Sequence, residues 1–257
     1  MLGAIAGDII GSVYERNPVK TRDFELFSSD SNFTDDTVLS VAVAEVLLSD
    51  TDYENAYREF YRQYPNQGYG YGFRRWVMVE TNSPYNSYGN GSAMRVSPVG
   101  WAFDSLPEVL YEAKKSAIVT HNHVEGIKGA QAVAAAIFLA RTGHSKAAIK
   151  GYLSDTFQYD LDRSLNEIRP DYSFDVSCQG SVPESIIAFL ESDNYEDSVR
   201  NAIALGGDSD TMACIAGAIA EAYYKYIDPE IIAAIFDRLP GHLATIVKQF
   251  TGKYCRY

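Results

Sequence analysis

Two short clusters, Thr34-Asp35-Asp36-Thr37 and Asp208-Ser209-Asp210-Thr211, carry the residue types that chemistry with hard cations needs. Each heads an apolar stretch with helical spacing, 38-VLSVAVAEVLL-48 in the first case and 212-MACIAGAIAEAYY-224 in the second. Either cluster alone reads as a helix cap, because Asp and Thr oxygens accept hydrogen bonds from first-turn amides and complement the helix dipole. A cap needs only one acceptor, however. Asp208 and Asp210 stand two residues apart and would repel each other unless cations lay between them. Carboxylate and hydroxyl oxygens without neighbouring Cys or His suit Mg²⁺ or Mn²⁺ better than zinc or copper. Two such ions about 3.5–4 Å apart would orient a water molecule together with substrate hydroxyls, which is hydrolytic chemistry.

Other chemistry-bearing residues are more isolated. Helical spacing puts Asp8, Gly11 and Glu15 on one stripe. Asp8 lies inside the apolar run GAIAGDIIG, where an unpaired carboxylate is costly, so it is expected to support other groups through hydrogen bonds. Glu15 closes the predicted helix, either as an ordinary helix-end acid or as a group that swings toward a ligand. The loop 88-YGNGSAMR-95 has a layout that presents backbone N–H groups to phosphate, although a tight turn before a capped helix explains it equally well. It lacks the Gly-Lys-Ser/Thr of a Walker motif. Arg95 pairs either with phosphate or with a nearby acid. His121 and His123, in THNH, are read as ligand-contacting or structural, and His144 and His242 as surface residues. Tyr69, Tyr71 and Phe73 offer rings for stacking on a purine, a weak signal among 19 tyrosines. Cys178 precedes a helix start that can lower a thiol pKa, yet no base accompanies it, which disfavours a cysteine nucleophile.

Positioning these groups falls to helices. Apolar residues recur mainly at helical spacing, and Ala-rich segments such as 129-GAQAVAAAIFLA-140 show none of the alternation of strands. An all-α fold follows, a compact single-domain orthogonal bundle of about a dozen helices. Helices are expected over roughly 2–14, 36–49, 52–63, 92–103, 106–119, 124–142, 145–153, 183–191, 195–205, 210–225, 229–237 and 240–250. Pro183 and Pro229 are placed at first helical positions. Gly3-Gly7-Gly11 and Ala213-Gly217 would let helix backbones approach closely. The Tyr/Gly-rich stretch 64–76 and the Asn/Ser/Gly-rich stretch 81–95 are read as loops walling a pocket. No Pro/Ser linker, charge block or solenoid repeat divides the chain, so residues 1–257 are taken as one domain.

Bulk properties narrow the class further. With 34 acidic against 22 basic side chains, the net charge of −12 opposes binding to duplex nucleic acid. Cys178, Cys214 and Cys255 are widely separated and form no zinc or disulfide pattern, which points to a reducing compartment. The opening MLGAIAGDIIGSVYE lacks a basic leader and carries Asp8 in its apolar run, so it reads as a core helix of a cytoplasmic protein. No run reaches the length of a membrane span.

Taken in order, GAIAGDIIGSVYE, FTDDT, YGNGSAMRVSPVG, THNH, GSVPESI and LGGDSDTMACIAGAIAEAYY resemble the ADP-ribosylglycohydrolase family, from residue 3 to about residue 224. Each piece is modest, but six in one order are specific. The resemblance implies an all-α fold around two Mg²⁺ or Mn²⁺ ions, with Thr34, Asp35, Asp36, Asp208, Asp210 and Thr211 as ligands. It implies release of ADP-ribose from an ADP-ribosylated protein or an ADP-ribose derivative, with Asp35 and Asp36 at the attacking water. Glu15 matches a glutamate near the metals in the serine-linkage branch, where it positions or activates the reacting groups. Gly89, Asn90, Gly91 and Ser92 match the diphosphate-cradling segment, and His121 a ligand-contacting histidine. Stretches 64–76 and 171–181 match no specificity loop, which leaves the acceptor open. Two alternatives stand beside this reading: a two-metal nucleotide phosphohydrolase, and a non-catalytic ADP-ribose-binding protein, although none of the six expected ligands is missing.

Overall fold

The computed structural model describes residues 1–49, 51–79 and 83–255, so Thr81 and Asn82 of the expected loop lie outside the described residues. The fold is all-α, with fifteen helices and, outside them, one isolated antiparallel bridge between Gly89 and Ser177 among the described residues. At its centre two helices are buried on every side, α1 (Leu2–Gly11) and α13 (Ser209–Tyr224). Such contact requires small residues. A Cβ at Gly3 would sit 2.3 Å from the Gly217 carbonyl oxygen, and one at Gly7 2.1 Å from that of Ala213. The four-residue glycine spacing is therefore a groove for the backbone of α13.

Around this pair pack α2 (Asp35–Ser49), α8 (Val124–Arg141), α11 (Cys178–Leu190) and α12 (Tyr195–Ile203). An outer set comprises α3 (Tyr53–Gln63), α7 (Leu106–Ile118), α9 (Lys146–Phe157), α14 (Pro229–Arg238) and α15 (Gly241–Tyr254). Amphipathic α3 shows the usual logic of an outer helix: Tyr53, Ala56, Tyr57, Phe60 and Tyr61 face inward, and Asp52 caps its start. No helix among the described residues is long and apolar enough to cross a membrane.

The two innermost helix starts are capped from elsewhere. Glu221, in α13, accepts hydrogen bonds from the amides of Leu2 and Gly3 at 3.2 and 2.8 Å. Asp8, in α1, does the same for α2, accepting from the amides of Thr34 and Thr37 at 3.0 and 3.1 Å and from both threonine hydroxyls. Its buried position in an apolar run thus has the structural partners it requires.

Several boundaries differ from expectation. Helix α1 stops at Gly11 rather than continuing to residue 14. The Tyr14 amide closes a tight turn onto the Gly11 carbonyl, and Pro18 beyond it disfavours helical geometry at Asn17. Glu15 thus sits in a turn, not on a helical stripe. The Tyr/Gly stretch contains a helix, α4 (Tyr71–Met78), held by buried Phe73, Trp76 and Val77. Arg58, lying 4.1 Å over the Trp76 ring, donates to the carbonyls of Trp76, Val77 and Val79 and so completes the end of α4. The expected helix 92–103 is two pieces, α5 (Gly91–Met94) and α6 (Ser97–Ala102). Pro183 lies inside α11 rather than at its start, because Ser177 caps the helix earlier and a proline at the sixth position removes only one main-chain bond. Short α10 (Leu165–Ile168), with a Ser164/Glu167 capping box, was not expected. Helix α9 runs to Phe157 and α15 to Tyr254, beyond their predicted ends.

Candidate active site

Because Asp8 satisfies the first turn of α2, the acids of that turn are free. The remaining amides are accounted for as well: Asp35 N donates to the Gln67 carbonyl at 2.7 Å, and Asp36 N to Thr34 Oγ1 at 3.2 Å. Asp208 likewise makes no side-chain cap to α13 and instead accepts from Asn90 Nδ2 at 2.8 Å. Capping alone therefore does not explain either cluster. Both open into one cavity of about 420 Å³, whose lining includes Glu15, Thr34, Asp35, Asp36, Asp208, Asp210 and Thr211. Thr211 Oγ1 lies 3.4 Å from Asp36 Oδ2, so the two clusters meet.

Oxygens of Glu15, Asp208 and Asp210 lie within 4.8 Å of one another. Asp36 Oδ1 is buried and has no hydrogen-bond partner. Burial pushes the carboxyls of Asp35 and Asp36 well above the usual carboxylate range, and repulsion from Asp8 adds to it. Burial and then the Asp208 charge do the same at Asp210 and, more mildly, at Glu15. Asp208 is also raised by burial. A crowd of desolvated carboxylates with an orphaned oxygen is what divalent cations relieve, and an all-oxygen donor set fits Mg²⁺ or Mn²⁺. Glu15 joins this cluster from the turn that follows α1 rather than from a helical stripe.

The cavity is also lined by Gly89, Asn90, Gly91, Tyr85, His121 and exposed Phe174. Ladder bonds from Asn90 N to Val176 O and from Cys178 N to Tyr88 O fix the glycine loop to the start of α11. Asn90 also lines the cavity, but its side-chain amide is committed to Asp208 and Ser181. Ser92 is fully buried and its hydroxyl donates to the Gly126 carbonyl at 2.7 Å, so its side chain faces α8 rather than the cavity. His121 lines the cavity, and burial depresses its basicity well below the usual imidazole range, with the Arg95 charge adding to that. His123 caps α8 by accepting from Glu125 N, whereas His144 and His242 are exposed.

Other expectations resolve differently. Arg95 pairs with no acid among the described residues: it is fully buried, 4.1 Å over the Tyr57 ring, and donates to Ser116 O and Thr120 Oγ1. Tyr69 and Phe73 stack on each other at 5.4 Å and are buried, while Tyr71 is exposed, so this trio presents no shared face to a purine. Burial pushes the Cys178 thiol up to about 12, the reverse of helix-start activation, and its Sγ donates to Gly89 O. Gly68 and Tyr85 line the cavity from the stretches 64–76 and 81–95 that were read as pocket walls, whereas sequence reasoning missed Phe174 and Val176 as lining residues. For Phe174 and Val176 the one available signal was an apolar pair inside the polar stretch 171–181.

The family profile described as ADP-ribosylglycohydrolase matches residues 1–254 of this chain. ADP-ribosylhydrolase ARH3 of Homo sapiens is 29% identical over 304 residues, covering 87% of this chain and 84% of the relative. ADP-ribosylarginine hydrolase Tri1 of Pseudomonas putida is 25% identical over 258 residues, covering 87% and 69%. A solved structure titled ADP-ribosylglycohydrolase-related protein complex superposes with a TM-score of 0.73 at 21% identity, covering 97% of this chain and 95% of that one, which establishes the shared fold. With a cavity walled by acids from two helix starts and a family match along almost its full length, the chain belongs to the ADP-ribosylglycohydrolase family.

Proposed function

We propose that this protein is a divalent-metal-dependent hydrolase that cleaves the glycosidic bond between ADP-ribose and an acceptor, releasing ADP-ribose. The observation that carries this reading is the convergence of two acid-bearing helix starts, the first of them capped by Asp8 from another helix, in one cavity that holds an orphaned oxygen, Asp36 Oδ1. Thr34, Asp35, Asp36, Asp208, Asp210 and Thr211 would hold two Mg²⁺ or Mn²⁺ ions. Bound there, the ions would supply Lewis-acid polarisation of ribose hydroxyls and of a water molecule.

The remaining steps belong to the chain's own groups. Asp35 or Asp36 orients the attacking water toward the anomeric carbon. Surrounding carboxylates stabilise the oxocarbenium character that develops there. Glu15, half-buried at the edge of the carboxylate cluster, serves as acid or base for the departing acceptor atom. Gly89, Asn90, Gly91 and the main chain of Ser92 cradle the diphosphate, His121 donates a hydrogen bond to the substrate, and Phe174 offers a ring face to the adenine. Support for the linkage comes from the relatives' names: one is an ADP-ribosylhydrolase and another an ADP-ribosylarginine hydrolase.

The test is incubation with arginine- and serine-linked ADP-ribosyl peptides, with Mg²⁺, Mn²⁺ or a chelator, followed by mass spectrometry of both products. Intact ADP-ribose plus unmodified peptide, lost in chelator, is the expected result. Release of phosphate or a nucleoside monophosphate instead would overturn glycosidic cleavage in favour of phosphohydrolysis.

A further inference from the structure

Three residues behind the glycine loop form a one-way chain of hydrogen bonds. Arg95 Nη2 donates to Thr120 Oγ1 at 2.8 Å, and Thr120 Oγ1 lies 2.7 Å from His121 Nδ1. A guanidinium has donors only, so Thr120 must accept from Arg95. The hydroxyl has a second lone pair, but among the described residues its one proton finds no acceptor besides His121 Nδ1, so that nitrogen accepts rather than donates. A neutral imidazole with Nδ1 accepting carries its proton on Nε2. That nitrogen faces the glycine loop: a Cβ at Gly91 would lie 3.1 Å from it and one at Gly89 3.6 Å.

Arg95 adds a second observation. It is fully buried, yet Nε and Nη1 have no hydrogen-bond partner and no carboxylate pairs with it among the described residues. The residue also lines the cavity. Its charge rests on the face of Tyr57 and on two neutral oxygens, and it acts on the neighbouring His121. The cost of burying it unpaired is offset where an anion completes the site.

From this geometry we infer that Arg95 and Thr120 are positioning residues that fix His121 as an Nε2–H donor for an anionic diphosphate oxygen seated against the Gly89–Gly91 loop. The ligand in this inference rests on the ADP-ribose reading above. Arg95 supplies the fixed polarity and a compensating charge, Thr120 transmits the polarity, and His121 delivers the hydrogen bond. With both links running in this direction, His121 is an Nε2–H donor before the substrate arrives.

Nuclear magnetic resonance of the imidazole nitrogens in ¹⁵N-labelled protein, with His121 assigned by comparison with His121→Gln, reads the tautomer directly. Calorimetric titration with ADP-ribose reads the consequence. Wild-type protein at neutral pH is expected to show one tautomer, protonated at Nε2. Thr120→Val should show a mixture and bind ADP-ribose about tenfold more weakly, while Thr120→Ser restores both. Arg95→Lys tests the first link but is open to misfolding, so the Thr120 pair decides. An Nδ1-protonated or mixed ring in the wild type, or a Thr120→Val protein with unchanged tautomer and affinity, overturns the chain. A single Nε2-protonated ring in a wild-type protein that does not bind ADP-ribose supports the chain and overturns the ligand, and with it the proposed function.

Discussion

The contact between α1 and α13 is tight enough that one methyl group should reach the active site. In Gly11→Ala the new Cβ would lie 2.4 Å from the Ser209 carbonyl oxygen and 2.6 Å from Asp210 Cα, where ordinary contact begins near 3.4 Å. Both neighbours are backbone, so the helices must part by about 1 Å. Overpacking of this kind costs about 1–3 kcal/mol, of which about 1 is offset by alanine's better helix propensity. The expected loss in melting temperature is a few degrees, at about 2–4 °C per kcal/mol for a chain of this size. The displaced residue is Asp210, and a 1 Å error in a reacting constellation costs about 10²-fold in rate. Gly3→Ala, at 2.3 Å from Gly217 O, makes an equal clash about 12 Å further along the helix. It should lose similar stability but keep its activity and its Mg²⁺-induced stabilisation. Exposed Gly151, where an added Cβ would meet no atom within 4 Å, is the control and should gain stability as alanine. Thermal melting with and without Mg²⁺, alongside ADP-ribose release, measures all three. Equal activity in Gly11→Ala and Gly3→Ala would refute the coupling of this contact to the site.

Three further outcomes are expected. Asp36→Asn and Asp210→Asn should each lose about 10³-fold in ADP-ribose release while melting cooperatively, and full activity of either in Mg²⁺ would remove the metal assignment. Gly91→Ala brings a methyl to 3.1 Å from His121 Nε2 and should weaken ADP-ribose binding about tenfold by calorimetry, with little change in melting. In the absence of metal the fold should be more stable at pH 5 than at pH 7.5. The buried carboxyls have folded pKa values above their unfolded ones, so raising the pH deprotonates the unfolded chain first and draws the equilibrium toward it. Asp8 alone, lifted by burial from 3.8 to about 6, forfeits about 3 kcal/mol by linkage once fully deprotonated, roughly half of it above pH 5. A melting temperature that rises from pH 5 to 7.5 in chelator would contradict that sign, and Mg²⁺ should raise it more at pH 7.5 than at pH 5.

The parts of the site that lie along one helix start were legible in the sequence. Asp35, Asp36, Asp208 and Asp210 announce themselves because each pair of oxygens precedes an apolar helical period. The bonds that tie these helix starts to the rest of the chain were not, because they are set by contacts between distant segments: Asp8 accepts from Thr37, and Asn90 donates to Asp208 across 118 positions. Glu15 was picked out for its type and misplaced in its element, since helical spacing carries no notice that Pro18 and a tight turn end α1 early. Helix α4 was hidden by its glycines and tyrosines. Its stability comes from buried rings and from Arg58, a residue on another helix. Ser92 and Asn90 have the composition of ligand contacts, but their side chains serve Gly126 and Asp208.

Lending a cap from a neighbour has a wider implication. A helix start ordinarily turns its own polar side chains back on its own amides, and whatever holds the helix together is thereby withdrawn from reaction. Here much of that duty at α2 is delegated to Asp8 on another helix, so that less of it falls on the first-turn carboxylates themselves. The first turn of α2 can then change its acids without unravelling, and Asp8 can be altered to destabilise the helix without removing a single cavity ligand. For the designer of an oxygen-rich centre in a helical bundle, the transferable instruction is to place the cap on the adjoining helix before choosing the ligands.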